Sequence, residues 1–392
     1  MKILEVVDFF KPSWEAGGIA RVCYEISKSL VEEGHDVTVY TTDGFKKRLN
    51  VPMNIPVDVD GISTYYFRNT FDILTRNNYY TPYYLPIIAR KDIQNYDLVH
   101  IHTYRSPLAV CAAYYAKKYH VPYIIQPHGS LPRIIEKQGL KKLYDMVWGN
   151  RILQDASQIV AVSRTEAEQF KQAGIPDEKI TVIPNGLNAS SFANPTPSGQ
   201  FREQYGIHKK HIVLYVGRLH KRKGIDFLIR AFHSFLQTWK ADDVALVIVG
   251  PDDGYRSVLE DLVEQLCIVD NVRFIGFVPS LRSAYRDADI LVYPATYEIF
   301  GLVPFEALLC GTPVIVTDDC GCGEIIKEAG CGYLVRYGDV SGLSETLRSA
   351  LEHPDMNRKM VEAGRRYIEE HLAWERVVKE VEAMYEGCIR HV

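Results

Sequence analysis

No stretch of this 392-residue sequence approaches the roughly 20 consecutive apolar residues that a membrane-spanning helix requires; the longest, around Pro107–Ala116, falls far short. The opening Met1-Lys2-Ile3-Leu4-Glu5-Val6-Val7 is too short, and meets an acid too early, to read as a signal peptide. Location in the cytoplasm is therefore expected, with peripheral contact at the inner face of the membrane left open. Cysteine is thinly spread: eight residues form no framework of the kind that staples small secreted domains. The one cluster, Cys320-x-Cys322 followed by Cys331, has glycines 321, 323, 330 and 332 interleaved and lacks the CxxC knuckle and four ligands of a zinc site. It reads as small buried thiols beside tight turns. Charge of one sign is also missing. A net charge of −4 excludes a general nucleic-acid binder. Residues 1–190 are slightly basic, with 22 Lys and Arg against 20 Asp and Glu. There is no low-complexity tract and no short repeat.

What is present is length and alternation. The chain exceeds what one hydrophobic core usually organises, so two domains are expected. Short β-branched runs alternate with amphipathic stretches, the pattern of parallel sheets in α/β proteins. In the first half the strands are Ile3–Val7, Val37–Thr41, Asp97–Ile101, Tyr123–Gln126, Gln158–Val162 and Lys179–Ile183, with helices over 18–33, 109–119 and 164–173. A Pro/Ser/Asn-rich stretch between Asn188 and Gly206 reads as the linker. The alternation then restarts with strands at His211–Val216, Val244–Val249, Val272–Ile275, Ile290–Tyr293 and Pro313–Thr317, and helices over 225–238, 255–267 and 302–310. After Thr317 the text reads as helical. Two doubly wound, Rossmann-like domains follow, divided near residue 190. Ligands in such folds sit at the carboxyl ends of strands, here expected in a cleft between the domains.

Three segments carry chemistry. The segment Glu298-Ile299-Phe300-Gly301-Leu302-Val303-Pro304-Phe305-Glu306 follows a strand and enters a helix. The free amides and positive dipole end of that helix suit a diphosphate. Carboxylates beside phosphate would be repelled, so Glu298 and Glu306 are expected to accept hydrogen bonds from neutral diols, one on a sugar and one on a ribose. The bland alternatives are a loop acid in solvent and an acid favoured by a helix start. Second, Gly217-Arg218-Leu219-His220-Lys221-Arg222-Lys223-Gly224 is a basic, glycine-bounded turn at a strand end, able to neutralise phosphate or simply to sit in water. Third, Gly17-Gly18 lets backbone approach a ligand, while the absence of GxGxxG there argues against a nicotinamide cofactor.

His102 and His128 fall at strand ends and are taken to face the cleft. His100 and His102 are expected on opposite faces of their strand, without a third metal ligand. Tyr79 and Tyr80, next to Arg76 and Pro82, suggest an acceptor-side loop whose flat amphipathic rings suit a saccharide or lipid-linked saccharide. Asp58-Val59-Asp60 resembles a metal-binding motif, but Asp60-Gly61 is a turn signal before Ile62–Phe67.

Taken together, Gly17-Gly18, His128-Gly129, Pro184-Asn185-Gly186, Gly217-Arg218 with Lys223-Gly224, and the Glu298-x7-Glu306 segment resemble family 4 of the retaining GT-B glycosyltransferases, in the family's order along nearly the whole chain. The resemblance implies a GT-B fold and transfer of a hexose-type sugar from a UDP-, GDP- or ADP-sugar to a saccharide or lipid-linked acceptor, without a divalent metal. It assigns Arg218 and Lys223 to the donor diphosphate and Glu298 to sugar hydroxyls. The amides of Phe300, Gly301 and Leu302 also fall to the donor, Glu306 to the ribose and His128 beside the sugar. Gly17 and Gly18 would line the phosphate and acceptor side, and a final helix over 374–392 would return to the first domain. Two positions depart from the family's pattern: Asn188 stands where Asp is frequent, and Leu309-Cys310-Gly311 where Ala-x-Gly is. The rivals are a nucleotide-sugar 2-epimerase and a non-catalytic module that binds nucleotide sugars.

Overall fold

The computed structural model describes residues 1–14, 17–44, 48–70, 81–132, 138–193, 197–239, 243–296 and 298–390. The chain forms two compact units, Met1–Gly186 with Trp374–Val392, and Leu187–Ala373. The crossing points thus fall close to the expected division. The linker reading is corrected, however. Residues after Gly186 belong to the second unit and include the helices Ser190–Ala193 and Gln200–Tyr205, with Phe201 fully buried. Asn188 accepts from Ser190 Oγ at 2.6 Å and from the Ser191 amide at 3.1 Å, so it caps the first of these as an aspartate would.

The first unit is built on eight strands: β1 (Lys2–Val6), β2 (Asp36–Thr42), β3 (Pro56–Val59), β4 (Ile62–Phe67), β5 (Leu98–Ile101), β6 (Tyr123–Ile125), β7 (Gln158–Ala161) and β8 (Ile180–Val182). Their order is β3-β4-β2-β1-β5-β6-β7-β8, parallel except for the β3–β4 hairpin. That hairpin turns on Asp60 (φ 54°) and Gly61 (φ 84°), the left-handed pair a tight hairpin demands. Asp60 is held there by Lys11 at 2.5 Å. Apart from Lys2 at the start of β1, the central strands β1 and β5 are buried, as helices covering both faces require.

The second unit has six parallel strands: β9 (His211–Val216), β10 (Val244–Val249), β11 (Val272–Gly276), β12 (Ile290–Tyr293), β13 (Val314–Thr317) and β14 (Tyr333–Val335), in the order β11-β10-β9-β12-β13-β14. The short β14 lies within text read as helical, a correction: three residues behind Gly332 are too few to declare a period.

The final helix, Trp374–Arg390, belongs to the first unit. Trp374, Val377, Val378, Val381, Tyr385 and Cys388 repeat at helical spacing and pack with Val22, Cys23, Ile26 and Leu30 of the first helix. Each large apolar side chain so buried contributes about 1.5–3 kcal/mol relative to exposure, which fixes this helix to the first unit. Among the described residues no helix is long and apolar enough to cross a membrane.

Candidate active site

The second sheet changes direction between β9 and β12, which pair through Ile290↔Val213 and Leu291↔Leu214. Ligands of open α/β sheets bind at such a switch point, beyond the carboxyl ends of the strands. The basic turn follows β9 and the Glu298 loop follows β12, so the two motifs, some 75 residues apart, meet at one crevice. Lys223 ends a single 3-10 turn, Lys221–Lys223, started by the His220 side chain accepting from the Arg222 amide. Gly224 follows in the left-handed region, and a Cβ there would collide with the Pro294 carbonyl. Only glycine lets the turn close so near the end of β12.

Lys223 Nζ donates to Glu298 Oε2, and Tyr293 Oη donates to the same oxygen at 2.8 Å. Burial alone would raise the Glu298 pKa. The Lys223 charge and hydrogen bond, the Tyr293 hydroxyl and the more distant Arg218 outweigh it and hold the carboxyl below its ordinary value. Arg218 is exposed and engages Asp253 at 2.8 Å. Glu306, one turn inside the Val303–Cys310 helix, accepts from Tyr285 Oη at 2.8 Å. Phe300 is buried and Gly301 sits at φ 77°. A Cβ on Gly301 would press on Tyr293, Cys322 and Glu298, so the loop reaches the helix through a gap only glycine fits.

The loop is clamped from behind. The Gly321 amide donates to the Glu298 carbonyl at 2.8 Å, and a Cβ at 321 would overlap the Ile299 carbonyl oxygen. Cys320 and Cys322 are buried with their sulfurs 3.1 Å apart, backing this loop as small thiols.

The first sheet reverses between β1 and β5. After β1, Gly17 has φ 102° and ψ −158°, a conformation open essentially to glycine alone, and it starts the Gly18–Glu32 helix. Gly17 and Gly18 are exposed, with open space where side chains would be. After β5 and β6 come His102 and His128. His102 Nε2 meets Glu5 Oε2 at 2.6 Å and His102 Nδ1 meets His128 Nε2 at 3.2 Å. Glu5 Oε1 accepts from Tyr385 of the final helix at 2.9 Å.

Two expectations are corrected here. His102 is fully buried and meets His128 through its Nδ1, so it does not itself face open space. His100 and His102 share one face, their rings 4.0 Å apart, because residues two apart on a strand point the same way. Space also supplies what spacing did not: Glu5, Cys23 and His102 place three ligand-type atoms within 4.8 Å. Both Glu5 oxygens already accept hydrogen bonds, from His102 and Tyr385.

Glu5 and Glu166 were missed. Glu166 Oε1 takes the Gly129 amide at 2.6 Å and Oε2 the Val162 amide at 2.8 Å, with burial raising its pKa to about 7 against those bonds. It holds the left-handed His128-Gly129 corner. Glu5 was visible as an acid inside an apolar strand; Glu166 looked like any first-turn acid. Tyr79 and Tyr80 lie outside the described residues.

Residues 198–367 match the model of glycosyl transferases group 1, and residues 16–191 that of glycosyltransferase family 4. An uncharacterized glycosyltransferase of Methanocaldococcus jannaschii is 28% identical over 98% of each chain. The N-acetyl-alpha-D-glucosaminyl L-malate synthase of Bacillus anthracis is 27% identical over 95% of each. The crystal structure of HepE from Anabaena in complex with UDP superposes with a TM-score of 0.78 at 21% identity, covering 99% of this chain and 100% of that one. With both halves matched by the two models and the same fold over its whole length, this chain belongs to the family 4 glycosyltransferases of GT-B fold.

Proposed function

We propose that this glycosyltransferase takes a hexose-type sugar from a nucleotide sugar and moves it, with retention and without a divalent metal, to a hydroxyl of a saccharide or lipid-linked acceptor. The observation that carries the reading is the Lys223–Glu298 pair, with Arg218 close by, at the switch point of the second sheet. When the anomeric C–O bond breaks, negative charge collects on the departing diphosphate. Lys223 and Arg218 are cations fixed where that charge develops, and the amides opening the Val303–Cys310 helix add to them. Donor entry exchanges the internal pair: Lys223 turns to phosphate and Glu298 to sugar hydroxyls. The acceptor oxygen then bonds to the anomeric carbon on the face the diphosphate leaves, and the acceptor proton passes to a leaving phosphate oxygen. We assign Glu306 to the ribose, and Gly17, Gly18 and His128 to substrate. UDP is the first base to test, because HepE carries UDP-glucose in another of its structures.

Glu298→Gln keeps the shape and removes the charge, and should lower turnover at least tenfold, about 1.4 kcal/mol. Near-wild-type turnover at saturating donor would take Glu298 out of the site. The metal question has its own assay. Turnover in excess EDTA is expected to equal turnover with Mg²⁺ or Mn²⁺, since side-chain cations offset the leaving charge. Loss on chelation with recovery on adding metal would sink the metal-free mechanism. An inverted anomer in the product would sink retention, and an epimerised nucleotide sugar without transfer would favour the epimerase.

A further inference from the structure

Behind His128 lies a buried polar chain that the transfer chemistry above does not use. Glu5 is an acid inside the apolar strand β1, and its side chain is fully buried. Burying a carboxylate is costly unless hydrogen bonds satisfy it. Two donors from distant parts of the sequence do so. Tyr385 Oη on the final helix reaches Oε1 at 2.9 Å, and His102 Nε2 reaches Oε2 at 2.6 Å. His102 Nδ1 lies 3.2 Å from His128 Nε2, with the ring centroids 5.5 Å apart. On the far side His100 Nδ1 meets Tyr385 Oη at 2.7 Å. All five residues belong to the first unit.

Proton counting gives this chain a direction. A carboxylate only accepts. The Tyr385 hydroxyl points its one proton at Glu5, so it accepts from His100 Nδ1–H. Glu5 likewise takes the His102 Nε2–H, which leaves Nδ1 of a neutral His102 as a lone pair. That lone pair can face His128 Nε2 only if the latter nitrogen carries the proton, and a neutral His128 then has a bare Nδ1. Burial first, and the His102 imidazole second, push the His128 pKa well below the ordinary histidine range, which keeps this ring neutral at neutral pH.

The corner that carries the ring is held as well. His128 stands at φ 48°, and Glu166 accepts from the amide of Gly129 that follows it. The backbone is thus set by Glu166 and the ring by His102. His128 is half-buried, and among the described residues its Nδ1 meets no hydrogen-bond partner. An imidazole free to choose its tautomer can either donate or accept through a given nitrogen; this one can only accept through Nδ1. Its complement is an O–H group. A hydroxyl offers that proton, and an ionised phosphate oxygen does not.

We propose that Glu5 and His102 are positioning residues that lock His128 in its Nε2–H tautomer, so that His128 Nδ1 accepts a hydrogen bond from a substrate hydroxyl. The proposal rests on the reading of His128 as a substrate contact and adds the means by which its ring is set. A buried carboxylate that fixes the tautomer of an imidazole is a general device of active sites. Here a second imidazole carries the constraint one ring further, and Tyr385 holds the carboxylate in place.

The test begins with long-range ¹H–¹⁵N NMR spectra of the full chain labelled with ¹⁵N-histidine at neutral pH, the two rings being assigned with His102→Asn and His128→Gly. Both rings should carry the proton on Nε2 and none on Nδ1. A proton on His128 Nδ1, or a doubly protonated His102, overturns the proposal. Glu5→Leu, which suits an apolar strand, should release His102 into both tautomers; a proton still confined to Nε2 overturns the role of Glu5. Kinetics give a second readout. His102→Leu cannot accept from His128 and should lower kcat at least tenfold, while His102→Asn, whose Oδ1 can take the place of Nδ1, should recover at least threefold of that loss. Equal kcat in these two variants at equal melting temperature overturns the proposal, because packing alone would not distinguish an acceptor from a methyl group. His128→Gly removes the ring without straining the left-handed backbone and should lower kcat at least tenfold; whichever KM rises, donor or acceptor, names the substrate that bears the hydroxyl. Wild-type turnover in His128→Gly takes His128 out of the site and overturns both readings, whereas lost turnover with a proton on His128 Nδ1 in the wild type overturns the positioning role alone.

Discussion

Lys223→Ala should lower kcat at least a hundredfold, about 2.7 kcal/mol of lost transition-state stabilisation. Lys223 lies at the switch point of the second sheet and is preorganised by its bond to Glu298 and by the Tyr293 ring 5.8 Å away. A cation fixed where charge develops acts mainly on the barrier, so the loss belongs in kcat more than in KM. The substitution also reverses the electrostatics of Glu298. Burial, which opposes ionisation, is at present outweighed chiefly by Lys223. Without that cation the carboxyl's pKa rises.

The sign follows directly. In the wild type the folded pKa lies below the unfolded one, so the pair's stabilisation is present above the unfolded value and is lost as pH falls through the folded value. In Lys223→Ala the acid limb of kcat/KM should therefore move to higher pH. Lys223→Arg restores charge without the compact ammonium and should recover part of the rate. Unchanged kcat in Lys223→Ala, with only KM raised, would reduce Lys223 to a binding contact.

Gly321→Ala should cost about 3 kcal/mol, the upper part of the usual range for forcing an atom into a packed site. For a unit of this size that corresponds to a melting temperature lower by about 6–12 °C. The added methyl would occupy the position of the Ile299 carbonyl oxygen, and backbone on both sides must move. The Gly321 amide bond to the Glu298 carbonyl goes with it, so donor KM should rise in the same variant. Gly387→Ala is the control: its Cβ meets nothing within 4 Å inside the Trp374–Arg390 helix, and the change should be neutral or slightly stabilising. Calorimetry on both separates a steric clamp from a general intolerance of alanine. Wild-type stability in Gly321→Ala would show that the loop is not held from behind.

The sheets were legible because their strands are continuous apolar runs; β9, β10 and β12 have the bounds the sequence suggests. The Glu298–Glu306 segment was legible for a different reason. Glycines 224 and 301 sit at left-handed turns flanking charged residues, and each lies where a Cβ would press on its neighbours. Less legible were features that depend on who sits opposite. Glu166 caps its own helix region in the sequence, and only the fold shows it gripping the His128-Gly129 corner. The π-helical turn at 145–149 leaves no mark in composition, yet Met146, Val147 and Trp148 all stand exposed on it.

By itself the sequence determined two α/β domains, the boundary between them to within a few residues, and the chemical types gathered at the strand ends. Those properties are local: they follow from side-chain period, turn chemistry and the charge carried by a short segment. Only the tertiary structure decided the partners. Lys223 finds Glu298 because β9 and β12 are neighbours, although 75 residues separate the two side chains. Glu5, His102 and Tyr385 meet because the last helix packs on the first unit, bringing residue 385 to residue 5. Such pairings depend on strand order and helix docking, which are set by the burial of whole faces and not by any single segment.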